Sequence, residues 1–384
     1  MRVAFVTHYS SLYGANRSLL NLIDGLKEYN VESFVLCPSN GELPMRLKER
    51  NVPFLIFPFK NWVGSSSIIS RIKAPARLVI NLAILPSLIR QVKQWNADII
   101  YTNSSVTPIG ALISRVLKKP HVWHIREFGW LDYQLRYDWG EKIFKYWLNR
   151  ADAIIAVSNA VKQIVLKNIN TKVYVIYNGV ISTSESAILR KQIDLSNERS
   201  NYTFAIVGII SPNKGQEDAI RALAYLRKDY PNVRLLIVGS GSGEYIERLK
   251  VLCDELNLEE SVEFWGYISN PFDAYLKADA ILMCSKYEAM GRVTVEAMAA
   301  AKPVIGYNST GTNELIEHGI TGLLYDGGYK EMAYCMAQFI KNPKWAQSLG
   351  INGWGKAQKE FVTEVYAKRI YEVLRELNRT TAKK

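Results

Sequence analysis

The sequence predicts an α/β fold made of two doubly wound domains, each built on a parallel sheet. Short β-rich apolar runs alternate with helical stretches, a polar stretch interrupts this pattern near the middle of the chain, and the alternation then restarts. The length of 384 residues also exceeds what one hydrophobic core usually serves. We therefore place one domain in residues 1–178 and a second in residues 179–364.

The predicted strands are spaced widely enough for crossover helices between them. In the first domain they are Val3–Thr7, Ser33–Cys37, Phe54–Phe57, Ile99–Thr102, His121–Ile125, Ile154–Val157 and Val173–Ile176. In the second they are Phe204–Val207, Arg234–Val238, Val262–Phe264, Ala280–Met283 and Pro303–Gly306. The polar stretch Ser182–Asn201 is interpreted as a linker. Ligands in such sheets bind beyond the carboxyl ends of the strands, so the loops there are the expected sites.

Composition narrows the class of protein. Apolar residues make up 48% of the chain, and no uncharged apolar run reaches the roughly 18 residues that span a bilayer. The first residues lead directly into a strand and not into a signal peptide, so a cytoplasmic location is expected. The four cysteines are scattered without a CxxC pair, which favours neither a disulfide framework nor a zinc site.

The net charge of +12 is confined to one half of the chain. Residues 1–178 hold 23 Lys and Arg against 11 Asp and Glu, whereas residues 179–384 hold 25 of each. This asymmetry predicts an anionic partner for the first half: nucleic acid, an acidic membrane surface or a charged substrate. Composition alone leaves these three open.

Two glutamates, Glu288 and Glu296, flank a strand-to-helix connection that contains Gly291. A helix that begins near this glycine offers free N–H groups and a positive dipole end to a diphosphate. The carboxylates would then accept hydrogen bonds from sugar or ribose hydroxyls. On spacing alone, an exposed loop carboxylate and an ordinary first-turn glutamate remain the competing interpretation.

Three further residues lie where a ligand site is expected. Gly14 precedes a predicted helix after the first strand, Lys214 lies in a loop that enters a helix, and His124 lies at a strand end. A glycine permits close approach of a ligand, a lysine binds phosphate, and a histidine suits hydrogen bonding or acid/base chemistry. A turn glycine, a solvated lysine and a structural histidine are the alternatives.

Together these motifs resemble glycosyltransferase family 4, retaining enzymes of the GT-B fold in which two Rossmann-like domains face each other. The resemblance covers nearly the whole chain, and bacterial surface-polysaccharide glycosyltransferases are among the proteins it resembles. The motifs that carry the resemblance are ADAIIAVS at 151–158, VIYNGV at 175–180, VGIISPNKG at 207–215 and EAMGRVTVEAMAAAKPVI at 288–305. The resemblance implies that the last helix, roughly Lys356–Leu377, crosses back, so that about 365–384 join the first domain.

The resemblance also implies roles for individual residues of the second domain. Glu288 would bind hydroxyls of the donor sugar and Glu296 those of the ribose. Backbone at Met290, Gly291 and Arg292 would lie against the sugar and the diphosphate.

Four residues outside that motif receive roles in the same way. Lys214 would contact a phosphate, and backbone near Tyr267 would lie against the base. His124 would lie beside the transferred sugar, and Gly14 on a first-domain loop under the diphosphate. The turn at 310–314 is a looser match to a glycine-rich turn of the family.

One position departs from the family pattern. The family commonly has an arginine directly after the glycine of the phosphate loop, where this chain has Ile209. An isoleucine cannot neutralise a diphosphate. We hypothesise that Arg292 or Arg126 supplies the charge, because guanidinium groups pair well with phosphate oxygens.

The reaction implied by the resemblance is retaining transfer of a hexose-type sugar from a UDP- or GDP-sugar. The acceptor would be a saccharide or a lipid-linked saccharide, as in cell-surface polysaccharide synthesis. No cofactor and no metal are expected, since the chain lacks the Asp-x-Asp that holds a divalent ion between donor phosphates. A non-catalytic nucleotide-sugar-binding subunit of the same fold is the alternative, which Ile209 favours.

The stretch from Trp62 to Trp95 interleaves Lys and Arg with Ile, Leu and Val. It is interpreted either as an ordinary packing helix or as a segment that lies in an anionic membrane interface. The second interpretation places the protein peripherally on the inner face of the cell membrane.

Two other classes are disfavoured. No nucleic-acid motif or basic stripe accompanies the positive charge, so nucleic acid is not an expected partner. A Rossmann oxidoreductase would need GxGxxG after a strand, and GSGSG at 239–243 matches only in part.

Overall fold

The computed structural model describes residues 1–65, 67–194 and 201–382. Contacts divide the chain into two compact units, called unit 1 (Met1–Gly179 and Thr363–Lys384) and unit 2 (Val180–Val362).

The elements are numbered in chain order. The strands are β1 (Arg2–Val6), β2 (Glu32–Cys37), β3 (Phe54–Ile56), β4 (Val63–Gly64), β5 (Ile99–Thr102), β6 (His121–Ile125), β7 (Arg136–Tyr137), β8 (Ala153–Ala156), β9 (Val173–Val175), β10 (Thr203–Val207), β11 (Arg234–Val238), β12 (Val262–Gly266), β13 (Ala280–Met283), β14 (Val304–Tyr307) and β15 (Leu323–Tyr325).

The helices of unit 1 up to its last strand are α1 (Gly14–Leu26), α2 (Glu42–Glu49), α3 (Ile68–Ile72), α4 (Ala74–Gln94), α5 (Ile109–Leu117), α6 (Trp130–Tyr133), α7 (Gly140–Leu148) and α8 (Asn159–Ile164). Those that follow are α9 (Thr183–Asp194), α10 (Gln216–Leu226), α11 (Gly243–Glu255), α12 (Phe272–Lys277), α13 (Arg292–Ala299), α14 (Thr310–Leu315), α15 (Tyr329–Lys341), α16 (Pro343–Glu360) and α17 (Thr363–Ala382). Short 3-10 turns lie at Lys27–Tyr29 and Pro212–Lys214.

Unit 1 is built on a seven-stranded parallel sheet in the order β3-β2-β1-β5-β6-β8-β9. The central strands β5, β6 and β8 are buried along their whole length, as their continuous apolar sequences require. The strand order reverses between β1 and β5. Polar loops that follow those strands therefore lie at a topological switch point, where doubly wound sheets bind ligands.

Unit 2 repeats this plan with six parallel strands in the order β12-β11-β10-β13-β14-β15. Its switch point lies between β10 and β13. The loop after β10 carries Lys214, and the loop after β13 carries Glu288. The fold of unit 2 thus brings two predicted site residues to the same edge of one sheet.

The last helix, α17, belongs to unit 1 and not to the unit that precedes it in the chain. Its apolar residues Tyr366, Ala367 and Ile370 are buried in the core formed with α1. A side chain at Gly25 of α1 would place its Cβ 2.5 Å from the Cβ of Ala367, so the two helices approach closely because both positions are small. The predicted return of the C-terminal helix is confirmed, although it begins at Thr363, later than the predicted Lys356.

The stretch interpreted as a linker contains a helix, and that interpretation was wrong for its first part. Residues Thr183–Asp194 form α9, and the Ser186 hydroxyl donates to the carbonyl of Ala299 at 2.8 Å. The remaining part, 195–200, lies outside the described residues. The sequence also gave no sign of β15 or of the short antiparallel pair β4-β7.

One helical segment of the described residues, Ile68–Gln94, is long and apolar enough to cross a membrane by length and composition. An 18-residue window within it has a mean hydropathy of 1.5, and only 17% of that window is buried within the protein. The sequence expectation counted uncharged runs only and was too narrow, because the five Lys and Arg residues of this stretch interrupt it without making it polar overall.

Candidate functional site

At the switch point of unit 2, the loops after β10 and β13 are in close contact at a glycine. Gly215 has φ +75° and follows Lys214, and a Cβ there would lie 2.6 Å from the Cβ and 2.8 Å from the carbonyl oxygen of Cys284. Only a residue without a side chain permits this approach. Because Cys284 directly follows β13, the contact fixes the Lys214 loop against the loop that leads to Glu288.

Lys214 and Glu288 form an ion pair within this switch point. Their side chains are 27% and 14% exposed. The pair is therefore partly desolvated yet reachable from solvent. An ammonium group and a carboxylate side by side can take up the phosphate oxygens and the hydroxyls of one ligand.

The first residues of α14 hold the backbone around Glu288 through hydrogen bonds. The amide of Glu288 donates to Oγ1 of Thr310 at 3.0 Å, and the amide of Gly311 donates to the carbonyl of Glu288 at 2.8 Å. A Cβ at Gly311 would lie 2.7 Å from the Glu288 carbonyl oxygen and 2.7 Å from Cα of Met290. Thr310 itself has φ +48°, a conformation that costs free energy for a β-branched residue. The loosely matched turn at 310–314 thus supports the loop at 288–290.

Helix α13 begins directly after Gly291, which caps it with φ +85°. The hydroxyls of Thr294 and Thr312 lie 3.4 and 3.8 Å from the position of a Cβ at Gly291. Both hydroxyls are buried and have no hydrogen-bond partner among the described residues. The helix N-terminus is therefore surrounded by unused polar groups, which fits an anionic ligand. Sequence reasoning missed both threonines.

Glu296 lies one turn into α13 and is 4% exposed. Its Oε1 pairs with Nε of Arg292 at 2.6 Å, and its Oε2 accepts from the hydroxyl of Tyr275 at 2.7 Å. Each carboxylate oxygen has a second lone pair that can accept from a ligand hydroxyl. Tyr275 lies 21 residues before Glu296, so local spacing gave no signal for this contact.

The other predicted residues of unit 2 differ in exposure. Tyr267 directly follows β12 and is 52% exposed, whereas Met290 is 4% exposed. Ile209, which departs from the family pattern, follows β10 and is 42% exposed. A side chain of any kind at Gly239 would collide with the backbone of Gly208, which has φ +138°, so these two strand ends lie in direct contact.

His124 lies on β6 of unit 1 and is fully buried. Its Nδ1 shares a hydrogen bond of 2.6 Å with the hydroxyl of Tyr101. Its Nε2 is buried without a hydrogen-bond partner within the described part of the chain. Burial, with a smaller contribution from the charge of Arg126, holds the pKa of His124 well below its usual range. The ring is therefore neutral at pH 7, suited to hydrogen bonding and not to proton donation.

Arg126 is engaged within unit 1. Its guanidinium donates to Oδ1 of Asn103 at 2.9 Å, to Oδ1 of Asn178 at 2.5 Å and to the hydroxyl of Tyr366 at 2.8 Å. It is 9% exposed. These contacts join the strand ends of unit 1 to helix α17. Gly14 is the first residue of α1, and the carbonyl of its neighbour Ala15 accepts from Asn103 at 3.2 Å.

Glu127 is a buried carboxylate that sequence reasoning did not select. Its Oε1 accepts from the hydroxyls of Ser104 and Ser105, at 2.7 and 2.5 Å, and from the amide of Ser105 at 2.6 Å. Burial raises the pKa of Glu127, while these hydrogen bonds oppose the rise. Its position directly after Arg126, at the end of β6, was the available signal.

A cleft of about 830 Å³ opens in unit 1 beside this cluster. Aromatic and cationic side chains share its wall, among them Trp130, Tyr137, Phe144, Arg71, Arg136 and Lys145. Arg136 stacks over the ring of Trp130 at 4.6 Å. Faces of aromatic rings next to cations can bind sugar rings and anionic groups. No spacing in the sequence indicated this cleft, because its wall comes from several separate elements, among them α3, α6, β7, α7 and α8.

Two family models match the chain. The one described as Glycosyltransferase Family 4 matches residues 13–183, and the one described as Glycosyl transferases group 1 matches residues 190–354. The chain belongs to glycosyltransferase family 4. The family predicted from the sequence motifs is thus confirmed.

The relatives of this glycosyltransferase include proteins with named roles. An uncharacterized glycosyltransferase of Methanocaldococcus jannaschii is 30% identical over 57% of this chain and 55% of its own, so this chain spans about half the length of that relative. The capsular polysaccharide biosynthesis glycosyltransferase CapM of Staphylococcus aureus is 25% identical over 78% of this chain and 82% of its own.

Among solved structures, Anabaena HepE in complex with UDP and glucose superposes with a TM-score of 0.77 and 24% identity. The match covers 98% of this chain and 99% of HepE. It confirms the predicted GT-B fold class with its two Rossmann-like domains.

Proposed function

We propose that this glycosyltransferase moves a hexose-type sugar from a nucleotide-diphosphate sugar to a saccharide or lipid-linked saccharide, with retention of configuration. The observation that carries the proposal is the switch point of unit 2. There the Lys214–Glu288 ion pair lies beside the glycine-capped helix α13, and the Arg292–Glu296–Tyr275 contact lies one turn further along the same helix.

In this proposal each group of the donor is assigned to one of these side chains or to the backbone beside them. Glu288 accepts from sugar hydroxyls, and Lys214 binds a phosphate oxygen. The N-terminus of α13 receives the diphosphate, for which its dipole and N–H groups are suited. Glu296 binds the ribose hydroxyls, and backbone beside Tyr267 lies against the base.

The reaction requires stabilisation of a departing diphosphate, and fixed positive groups supply it electrostatically. Lys214 and Arg292 are the cations that this proposal assigns to that task, in place of the arginine that Ile209 replaces. No metal is included, because the sequence lacks an Asp-x-Asp. We expect full activity in excess EDTA, and loss of activity that Mg²⁺ or Mn²⁺ restores would contradict metal independence.

His124 serves in this proposal as a neutral hydrogen-bonding group. Its buried, unpartnered Nε2 can bond a hydroxyl of the transferred sugar, while Tyr101 fixes the ring through Nδ1. A neutral imidazole can form this hydrogen bond without adding charge to the buried strand ends of unit 1.

The cleft of unit 1 is the proposed acceptor site, since aromatic faces and cations together fit a saccharide with an anionic linkage. CapM, named for capsular polysaccharide biosynthesis, gives this proposal its biological class. A location on the cytoplasmic side of the membrane follows from the same proposal, because nucleotide sugars are supplied there.

The decisive experiment is a thermal-shift screen of UDP-, GDP- and ADP-sugars, with UDP-glucose first because HepE was solved with UDP and glucose. One nucleotide class should raise the melting temperature. Glu296→Gln should weaken that donor about tenfold, whereas Glu247→Gln, an exposed glutamate of α11, should not change its affinity. Absence of a shift with every donor would overturn the proposal.

The exposed Ile209 favours a second function, that of a non-catalytic subunit that binds nucleotide sugars. Nucleotide release distinguishes the two. Equal release by the unmodified protein and by Glu288→Ala would support the non-catalytic subunit.

A further inference from the structure

Helix α3 and the outer side of α4 expose a continuous set of large apolar side chains. These are between 37% and 75% exposed and comprise Ile68, Ile69, Ile72, Leu78, Val79, Ile80 and Leu82. Single exposed apolar residues are normal on a soluble protein, but seven within 15 residues form a patch that marks an interaction surface. We call these seven residues the apolar ridge.

The charged residues of the segment that carries the apolar ridge have one sign. Between Glu49 and Asp98 the sequence contains no Asp or Glu. Lys73 lies within the ridge, and Arg90 and Lys93 are exposed on the last turns of α4. Arg71 is likewise exposed on α3. The ridge therefore complements a surface that is both apolar and anionic, and an anionic lipid bilayer has that combination.

The inner side of α4 is fixed to unit 1. Arg77 forms an ion pair with Asp138, and the Asn81 side chain exchanges hydrogen bonds with the backbone of Lys60, at 2.7 and 2.9 Å. Leu88 and Val92 are fully buried in a core cluster of the unit. A helix that crossed the bilayer would have to break all of these contacts and place Arg77 and Asn81 in hydrocarbon, which is costly. The helix is therefore suited to lie along a membrane surface.

We propose that the apolar ridge docks onto an anionic membrane, with α3 and the first half of α4 at the level of the lipid headgroups. Ser70 and Arg71 belong to α3 and also line the cleft of unit 1. A lipid-linked acceptor can therefore enter that cleft directly from the membrane. The docking itself does not depend on catalysis; only the use of the cleft rests on the proposed function.

The test is sedimentation of the full-length protein with vesicles of phosphatidylcholine containing 30% phosphatidylglycerol, and with vesicles of phosphatidylcholine alone. Binding should be at least about tenfold tighter to the anionic vesicles at low salt and should weaken in 0.5 M NaCl. The triple variant Ile68→Ser, Ile69→Ser, Ile72→Ser should bind at least about tenfold more weakly. The variant Lys73→Glu, Arg90→Glu, Lys93→Glu should bind about 30-fold more weakly or worse.

Met45→Ser with Tyr334→Ser is the matched control, since these side chains are 66% and 69% exposed elsewhere in the chain. It should bind vesicles like the unmodified protein. The ridge variants should keep their melting temperature and their donor affinity, which separates loss of docking from misfolding and from failure of the proposed function. Unchanged sedimentation of the ridge variants would overturn the proposal. So would a vesicle-insensitive dimer that the isoleucine substitutions dissociate, because the ridge would then bind a second copy of the chain.

Discussion

Unit 1 and unit 2 share one architecture and distribute their charge in opposite ways. Unit 1 holds 29 Lys and Arg against 14 Asp and Glu, whereas unit 2 holds 19 against 22. The two units also differ in the side chains that lie at the ends of their strands. Unit 1 has neutral histidines there, the buried His124 and the partly buried His8, while unit 2 has the partly exposed Lys214–Glu288 ion pair.

One fold can serve two tasks because the two kinds of group respond differently to a ligand. A partly exposed ion pair can exchange its partner for the phosphate and hydroxyls of a ligand, because both charges remain near solvent. A buried neutral ring cannot gain charge cheaply and therefore keeps one hydrogen-bonding role. The positive charge of unit 1 instead lies on its surface, where it suits an extended anionic partner.

The first prediction tests the Lys214–Glu288 ion pair of unit 2 and should give the strongest loss of activity. Glu288→Gln keeps the size of the side chain but removes the charge that pairs with Lys214, and we expect kcat to fall about 10²–10³-fold. Donor affinity should change much less, because Lys214 becomes free to bind phosphate. Steady-state kinetics together with donor titration measure the two quantities.

Glu317→Gln is the matched control for this substitution, since Glu317 pairs with Lys356 on the surface of the same unit. It should leave kcat unchanged. A loss of donor affinity in Glu288→Gln as large as its loss of kcat would show that the carboxylate serves binding alone.

The second prediction tests the neutral histidines of unit 1 by pH. Burial lowers the pKa of His8 and of His121 to about 3 and that of His124 well below 6.5. The unfolded chain takes up protons below pH 6.5 and the folded chain does not, so stability is lost as pH falls from 6.5 towards 3. From pH 7.5 to 5.5 each histidine contributes about 1.4 kcal/mol, or about 4 kcal/mol for three.

Hydrogen exchange of β6 at the two pH values, corrected for intrinsic rates, measures this loss within unit 1. His121→Gln should reduce the dependence by about one third, since one of the three protons is then no longer taken up. Protection of β6 that is the same at both pH values would show that these rings are already charged in the folded protein.

The third prediction concerns the support under the Glu288 loop. Gly311→Ala places a Cβ 2.7 Å from the Glu288 carbonyl oxygen, so the loop must shift. We expect unit 2 to lose about 1–3 kcal/mol of unfolding free energy and to bind donor more weakly. Gly355→Ala is the control, because a Cβ there meets nothing within 4 Å and alanine favours helix. Chemical denaturation compares the two variants, and equal stabilities would refute the support role of Gly311.

The contrast between the units was only partly predictable from the sequence. Ile99–Thr102, Arg234–Val238 and Ala280–Met283 were placed to the residue, because buried parallel strands are continuous apolar runs with polar ends. Glu288 and Lys214 could also be selected from the sequence, because each lies in a loop that follows a predicted strand at the switch point.

What the sequence did not predict depends on contacts between distant residues. Tyr275 reaches Glu296, and Thr312 lies beside Gly291, through the packing of separate helices. The apolar ridge has the composition of a buried helix, and tertiary contacts such as that of Asn81 with Lys60 decide which side of α4 faces outward. The helix at Thr183–Asp194 was missed because its sequence is polar, with the features of a linker.

The last prediction, with the smallest change expected, tests how unit 1 binds its C-terminal helix α17. Tyr366→Phe removes the hydroxyl that accepts from Nη2 of Arg126, and leaves a buried guanidinium with one unsatisfied donor. We expect unit 1 to lose about 1–2 kcal/mol of unfolding free energy, with no change in unit 2. Tyr29→Phe, whose ring stacks on Tyr371, is the control and should cost less. Hydrogen exchange in α17 and in β13 measures the two units separately, and equal losses in both would mean that this hydrogen bond does not act within unit 1 alone.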